Sequence, residues 1–300
     1  VSRGWLEQRE RGSVAAMRAL ARLSLALGRG AGRLFLYPIC LYFVLFSVAA
    51  RRASRAYLAR VLGRPAGLRE VLRHYHAFAS TVHDRVFLLA GRLERFEFEF
   101  HGLPEFEVAM AQGRGCVLLG AHLGSFEAMR ALALRMRKLP LSVLMYRDNA
   151  AKTEAVLREI APESAERVIA LGRPEALLRV RECLERGEAV GILGDRILGG
   201  DKSVRCEFLG GLARFPLGPL LVPVLLDVPI VLFFGLYLGG NRYAIRFERF
   251  ECDAGAAARG EREARLASCV ARYAQRLDHY CRLAPYNWFN FYDFWETHGA

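Results

Sequence analysis

The run Cys116-Val-Leu-Leu-Gly-Ala121 and the turn behind it constrain this chain most. Six small or apolar residues without a charge read as a strand buried on both faces. Gly120 and Gly124 bracket a short turn. Beyond it Phe126, Met129, Ala133, Leu134 and Met136 keep the spacing of an amphipathic helix. A buried strand that turns straight into a helix belongs to an α/β layer structure.

The rest of the second half repeats that pattern. Strands are expected over 95–100, 116–121, 141–146, 167–171, 189–194, 220–233 (split by Asp227 and Pro229) and 242–250. Helices are expected over 104–112, 126–137, 150–160 and 174–186. Period-two alternation makes 95–100 an edge or half-exposed strand. The fold class is α/β: a mostly parallel mixed sheet flanked by helices, preceded by an N-terminal membrane-anchoring helical segment. The division expected is a helical region over 1–93 and an α/β domain over 94–300, the latter closing with a helix over 261–283 and an aromatic tail. That tail, Tyr286 to Trp295, holds seven aromatics in ten residues.

Residues 34–50 are 17 residues without a charge. As a helix they reach about 25 Å at ~1.5 Å per residue, against a bilayer hydrocarbon of about 30 Å. The segment is marginal as a span, and Pro38 is placed to kink it. Arg29 and Arg33 flank one end and Arg51, Arg52 and Arg55 the other, so the charges set no orientation. A membrane anchor or interfacial helix is the favoured reading; a buried core helix and a signal peptide are the alternatives. Residues 53–93 read as helix, and His74, His76 and His83 on it as ordinary core or surface histidines rather than metal ligands.

The net charge is +12, nearly all of it arginine, since Lys138, Lys152 and Lys202 are the only lysines. A basic excess suits anionic headgroups, an acidic carrier protein or nucleic acid. No basic-aromatic RNA motif or helix-turn-helix supports nucleic acid. The seven cysteines are odd in number and form no Cys-x-x-Cys pair. That spacing argues for a reducing compartment and against zinc; no metal is expected.

The turn after the central strand carries chemistry. His122 accepts a proton near neutral pH. Glu127 falls in the first turn of the next helix, with Ser125 as its N-cap. From there its carboxylate is expected to reach back to the His122 ring, fixing the tautomer and stabilising the imidazolium. No Gly-x-Ser-x-Gly elbow supplies a nucleophile, so direct attack by a substrate hydroxyl is favoured. Three further blocks sit after strand candidates. In Tyr146-Arg147-Asp148, Arg147 is a phosphate ligand candidate. Asp195-Arg196 follows another buried run, and the stretch lacks the Gly-Lys-Ser/Thr of a phosphate loop. Arg214, among apolar residues and glycines in Phe208–Pro219, suits an acyl chain beside a phosphate.

In this order the blocks resemble the lysophospholipid acyltransferase superfamily, and more closely its branch of lipid A late acyltransferases. The Trp5…Glu10-Arg-Gly12-Ser13 block, the apolar segment, His122-x4-Glu127, Tyr146-Arg147, the Asp195 block and the aromatic tail carry the resemblance over nearly the whole chain. It implies transfer of a fatty acyl group from a thioester, acyl carrier protein or acyl-CoA, to a hydroxyl of a lipid or glycolipid. It gives His122 as general base, Glu127 as its orienting carboxylate, Arg147 as a phosphate ligand and Asp195 as support from the neighbouring loop. Arg196 and Arg214 join the substrate-binding candidates. The co-substrate would be the acyl thioester, with no other cofactor, and the place the cytoplasmic face of a bacterial inner membrane.

Two positions depart from that branch. Ile197 stands where a second acidic residue is usual, and the tail lacks a terminal His-Arg-Arg run. Both leave the acceptor open. A glycerol-phosphate or lysophosphatidate acyltransferase is the alternative within the chemistry, although Phe215-Pro-Leu-Gly218 lacks the usual glutamate. A non-catalytic basic membrane-binding module is the alternative outside it.

Overall fold

The computed structural model describes residues 14–128, 140–145, 156, 159–160, 167–171, 175–197, 200–255 and 259–295. Four helices come first: α1 (Val14–Leu27), α2 (Arg29–Phe46), α3 (Val48–Leu62) and α4 (Leu68–Leu89). Then follow β1 (Glu97–His101), α5 (Leu103–Ala111), β2 (Cys116–Gly120), β3 (Leu141–Met145), β4 (Val168–Ala170), α6 (Glu175–Glu185) and β5 (Ala189–Leu193). The chain continues through β6 (Ser203–Phe208), β7 (Gly211–Pro216), α7 (Gly218–Leu225), β8 (Ile230–Gly239), β9 (Arg242–Phe250) and α8 (Arg259–Leu283).

Seven strands form one sheet in the order β1-β9-β8-β2-β5-β3-β4. All neighbours run parallel except β8 and β9, which pair antiparallel. This is the mixed, mostly parallel sheet the sequence implies, with β1 as its edge strand. β2 sits near the centre, and all five of its residues are buried, as an uninterrupted apolar run requires. Aromatics fill the layer between sheet and helices, with Phe233, Phe234 and Tyr243 among the fully buried side chains.

Three readings need correction. Residues 220–233 are not one split strand: Gly218–Leu225 is helix α7, and the strand starts at Ile230. Pro219 at the helix start is compatible with α geometry, which an apolar run alone does not distinguish from strand. Residues 203–216, given neither strand nor helix above, form an antiparallel hairpin, β6 with β7, as a separate two-stranded sheet. The helix over 53–93 is two helices. α3 stops at Gly63, which adopts the left-handed conformation, and Pro65 prevents continuation.

The apolar segment is also divided. α2 ends at Phe46, and Ser47 breaks the helical path before α3 begins. Arg51 caps the break by donating to the carbonyls of Val44 and Leu45. α2 lies along α4. Its Gly32, Leu36, Cys40 and Val44, four residues apart, form the buried stripe. Asp84 on α4 is fully buried and accepts from Arg29 (2.7 and 2.9 Å), Arg33 (3.1 Å) and the Tyr243 hydroxyl (2.7 Å). Buried charge is tolerated only when paired in this way. Gly32 has no room for a side chain, since a Cβ there would lie 2.3 Å from His83 Nε2.

Cys252 and Cys269 form a disulfide with Cα atoms 5.7 Å apart, tying the end of β9 to α8. The spacing argument for a reducing compartment did not foresee this pair, because 17 residues separate its members. The other five cysteines are buried thiols.

Candidate active site

β2 and β5 are adjacent, parallel and in register, with Gly120 opposite Leu193. Two residues past each strand end stand His122 and Asp195. Register alone therefore brings together two residues 73 apart in sequence. The site lies beyond the carboxyl ends of the strands, where open α/β sheets bind ligands. Gly194 N–H donates to Gly120 O at 2.9 Å, and the Tyr273 hydroxyl of α8 donates to the same carbonyl at 2.7 Å.

The turn is held by backbone contact. Gly124 has φ +71°, a left-handed conformation that favours glycine. Gly124 N–H donates to Asn287 O, and Ser125 N–H to Gly235 O, both at 2.8 Å. Ser125 acts as the expected N-cap, its Oγ accepting from Ala128 N–H at 3.2 Å. Residues 126–128 are helical, and the remainder of the helix expected over 126–137 lies outside the described residues.

Asp195 is the ring's carboxylate. Its Oδ1 accepts from His122 Nδ1 at 2.7 Å. Its Oδ2 accepts from His122 N–H (3.0 Å), Trp288 Nε1 (3.0 Å) and Asn290 Nδ2 (2.7 Å). Burial pushes the carboxyl up, but the charge and hydrogen bonds of His122, with the charge of Arg196, outweigh it and hold it down to about 2. An ionised Asp195 requires a proton on His122 Nδ1 and leaves Nε2 with its lone pair. Burial, then the Arg196 charge, lowers the proton affinity of the His122 ring, Asp195 raises it, and Arg85 lowers it; the net direction is down. The His122 side chain is still 27% exposed.

Glu127 takes a different partner from the one expected. It forms an ion pair with Arg85 of α4, Nε to Oε2 at 2.9 Å. Five residues past His122 on a turning chain, Glu127 faces α4, whereas Asp195 is delivered to the ring by strand register. Arg196, expected at a substrate, has Nε on Asn290 Oδ1 (2.7 Å) and Nη2 on Phe289 O (3.1 Å). Arg214 is exposed on β7, across the hairpin from Arg205. Arg147 and its neighbours Tyr146 and Asp148 lie outside the described residues. His74 and His83 are buried and partnered: His74 Nε2 donates to Trp288 O (2.8 Å) while Nδ1 accepts from Ser54 (2.9 Å), and His83 Nε2 pairs with Ser24 (2.9 Å). Among the described residues no group of three or more His, Cys, Asp or Glu is placed to hold a metal.

Sequence reasoning missed four contributors: Arg85, Tyr273, Trp288 and Asn290. Two asparagines inside an aromatic tail were a usable signal, because a buried amide demands partners. Arg85, on a long helix 42 residues before Glu127, gave none. No curated protein matches the chain. Residues 80–297, well over half of it, match the family described as bacterial lipid A biosynthesis acyltransferase. With a histidine and a buried aspartate meeting at the ends of adjacent strands, and with that match across the whole sheet, the chain belongs to the bacterial lipid A biosynthesis acyltransferase family.

Proposed function

We propose that the protein transfers a fatty acyl group from a thioester, acyl carrier protein or acyl-CoA, to a hydroxyl of a membrane lipid or glycolipid. The 2.7 Å contact between Asp195 and His122 Nδ1 carries the reading, because it reserves Nε2 as the base. Nε2 takes the acceptor's hydroxyl proton as the oxygen attacks the thioester carbonyl. The tetrahedral intermediate expels the thiolate, and the imidazolium returns the proton to sulfur. The buried Asp195 anion stabilises the imidazolium between these steps. This assigns the orienting role to Asp195. Glu127 neutralises Arg85, whose charge otherwise depresses the basicity of the ring. Arg147 and Arg214 are retained as candidates for the phosphates of donor or acceptor.

The protein is proposed to work on the cytoplasmic face of a bacterial inner membrane, with α2 lying in the interface. By length and composition α2 is, among the described residues, the one helix able to cross a bilayer. Leu34, Leu41, Tyr42, Leu45 and Phe46 are exposed along it. The opposite face is tied to α4 through Asp84, and the rings of Tyr37 and His76 stack at 4.7 Å. Crossing the bilayer would carry the charged Arg69, Glu70, Arg73 and Arg85 of α4 toward hydrocarbon, which is costly. An amphipathic helix flanked by arginines suits an anionic interface instead. The Cys252–Cys269 disulfide is the feature at odds with a reducing cytoplasm.

The reaction is tested with detergent-purified protein, radiolabelled acyl carrier protein or acyl-CoA, and total membrane lipid. Label should enter lipid with the wild type and not with His122→Ala. Equal transfer by His122→Ala would remove His122 from the mechanism. Placement is tested with Leu27→Cys and Phe46→Cys, near the two ends of α2. In inverted vesicles an impermeant maleimide should reach both; labelling of one alone would mean that α2 spans.

A further inference from the structure

The C-terminal tail, far from His122 in chain order, supplies two of the four hydrogen bonds on Asp195. Trp288 Nε1 donates at 3.0 Å and Asn290 Nδ2 at 2.7 Å, and both residues are almost wholly buried. The Asn290 amide cannot flip freely, because Arg196 Nε donates to its Oδ1 at 2.7 Å. With the oxygen held by Arg196, the nitrogen must face Asp195. Arg196, Asn290, Asp195 and His122 thus form one polar chain in which each group fixes the orientation of the next.

The tail is anchored independently on both sides. Phe289 N–H donates to His122 O at 2.7 Å, and Asn287 closes two hydrogen bonds with the backbone of Tyr237 on β8 (2.7 and 3.1 Å). His74 of α4 donates to Trp288 O at 2.8 Å. The Trp288 ring packs against Phe208, Phe294 and Tyr57, with centroids 5.2, 4.7 and 5.0 Å away. The tail held in this way presents two donors, Trp288 Nε1 and Asn290 Nδ2, to one carboxylate.

We infer that Asn290 and Trp288 are positioning residues of the acyl transfer: by holding the Asp195 carboxylate in one orientation they keep the proton of His122 on Nδ1 and its Nε2 free for the acceptor. The inference rests on the proposed role of His122 as base. A carboxylate with three donors on Oδ2 and one on Oδ1 cannot rotate without breaking several bonds. Without the tail's two donors it can turn, and the imidazole proton is no longer confined to one nitrogen. Neither residue touches substrate in this role.

The test is side-chain 15N spectroscopy of histidine-labelled full-length protein in detergent, with His122→Gln to assign the signal. Wild-type neutral His122 should show a single tautomer protonated at Nδ1. Asn290→Ala and Trp288→Phe should show a mixture, and kcat should fall about tenfold for each lost hydrogen bond with KM little changed. Trp288→Phe keeps the ring in the core and covers the case in which Asn290→Ala does not fold. A merely structural role predicts a lower melting temperature with the tautomer intact; that outcome in the variants that fold would overturn the inference. The tautomer readout needs no substrate. A tautomer shift without any acyl transfer by the wild type would therefore uphold the tail's control of His122 while removing the reaction proposed for it.

Discussion

The strand-end site and the N-terminal helix layer solve opposite problems with similar materials. Around Asp195 both carboxylate oxygens are engaged by donors, and the residue is fully buried. Along α2 one stripe is tied down by the buried Asp84 cluster while the other face leaves leucines and aromatics uncovered. Both regions bury an aspartate between arginine or histidine partners. In the first the carboxylate fixes the ring of His122; in the second it fastens one helix to another. The lesson is that a buried carboxylate is not by itself a catalytic sign. What distinguishes Asp195 is a histidine partner whose side chain stays partly exposed.

That contrast can be broken from either side. The largest effect is expected for Asp195→Asn. An amide can present its N–H to His122 Nδ1 and force the wrong tautomer, so kcat should fall about 10³–10⁴-fold, while circular dichroism stays native. Retention of most activity would make Asp195 a scaffold residue like Asp84. Gly124→Ala attacks the same region through the backbone. At φ +71° an added Cβ would lie 2.0 Å from Gly235 O, and a loss of roughly 3 kcal/mol is expected in denaturant unfolding.

Between the two regions sits His74, which burial pushes down from 6.5 to about 4. Its folded value lies below its unfolded one. Its contribution to stability is therefore complete above about pH 6.5 and is lost as pH falls toward 4. The shift corresponds to about 3 kcal/mol. Urea midpoints across that range should fall, and His74→Gln should flatten the curve; an unchanged slope would show that His74 is not the titrating group. On the exposed side, Leu45→Ser should weaken binding to anionic vesicles roughly tenfold, as expected for one apolar side chain withdrawn from lipid, without changing the fold. Equal vesicle binding would mean that this face meets something other than lipid.

The smallest effect separates the two carboxylates beside His122. Glu127→Gln should unmask Arg85, whose charge lowers the proton affinity of the ring. The acid limb of the rate profile should then move to lower pH, with less than about tenfold loss at neutral pH. A loss as deep as that of Asp195→Asn would return the orienting role to Glu127.

The sheet was legible because its strands announce themselves. Cys116–Gly120, Leu141–Met145, Val168–Ala170 and Ala189–Leu193 are short apolar runs ending at glycines or polar turns. His122 was legible because it follows such a run at once. Its partner was misread because spacing along the chain favours Glu127, five residues away, whereas contact is set by β2–β5 register. Local pattern carries no register between strands 73 residues apart. The tail's role escaped for the same reason: an aromatic run predicts burial, and only the tertiary fold says against what. The 203–216 hairpin was hidden by glycines and prolines that read equally well as loop.

The Gly124–Gly235 seam has a consequence for how this enzyme can change. A Cβ at Gly124 would strike Gly235 O at 2.0 Å, and one at Gly235 would strike Ser125 O at 2.3 Å. The His122 turn therefore rests on β8 main chain to main chain, with no side chain as a shim between them. The height of His122 above the sheet is then a property of the backbone. Side chains around the turn can be exchanged without resetting the position of His122. The seam separates what the site does from what it does it to.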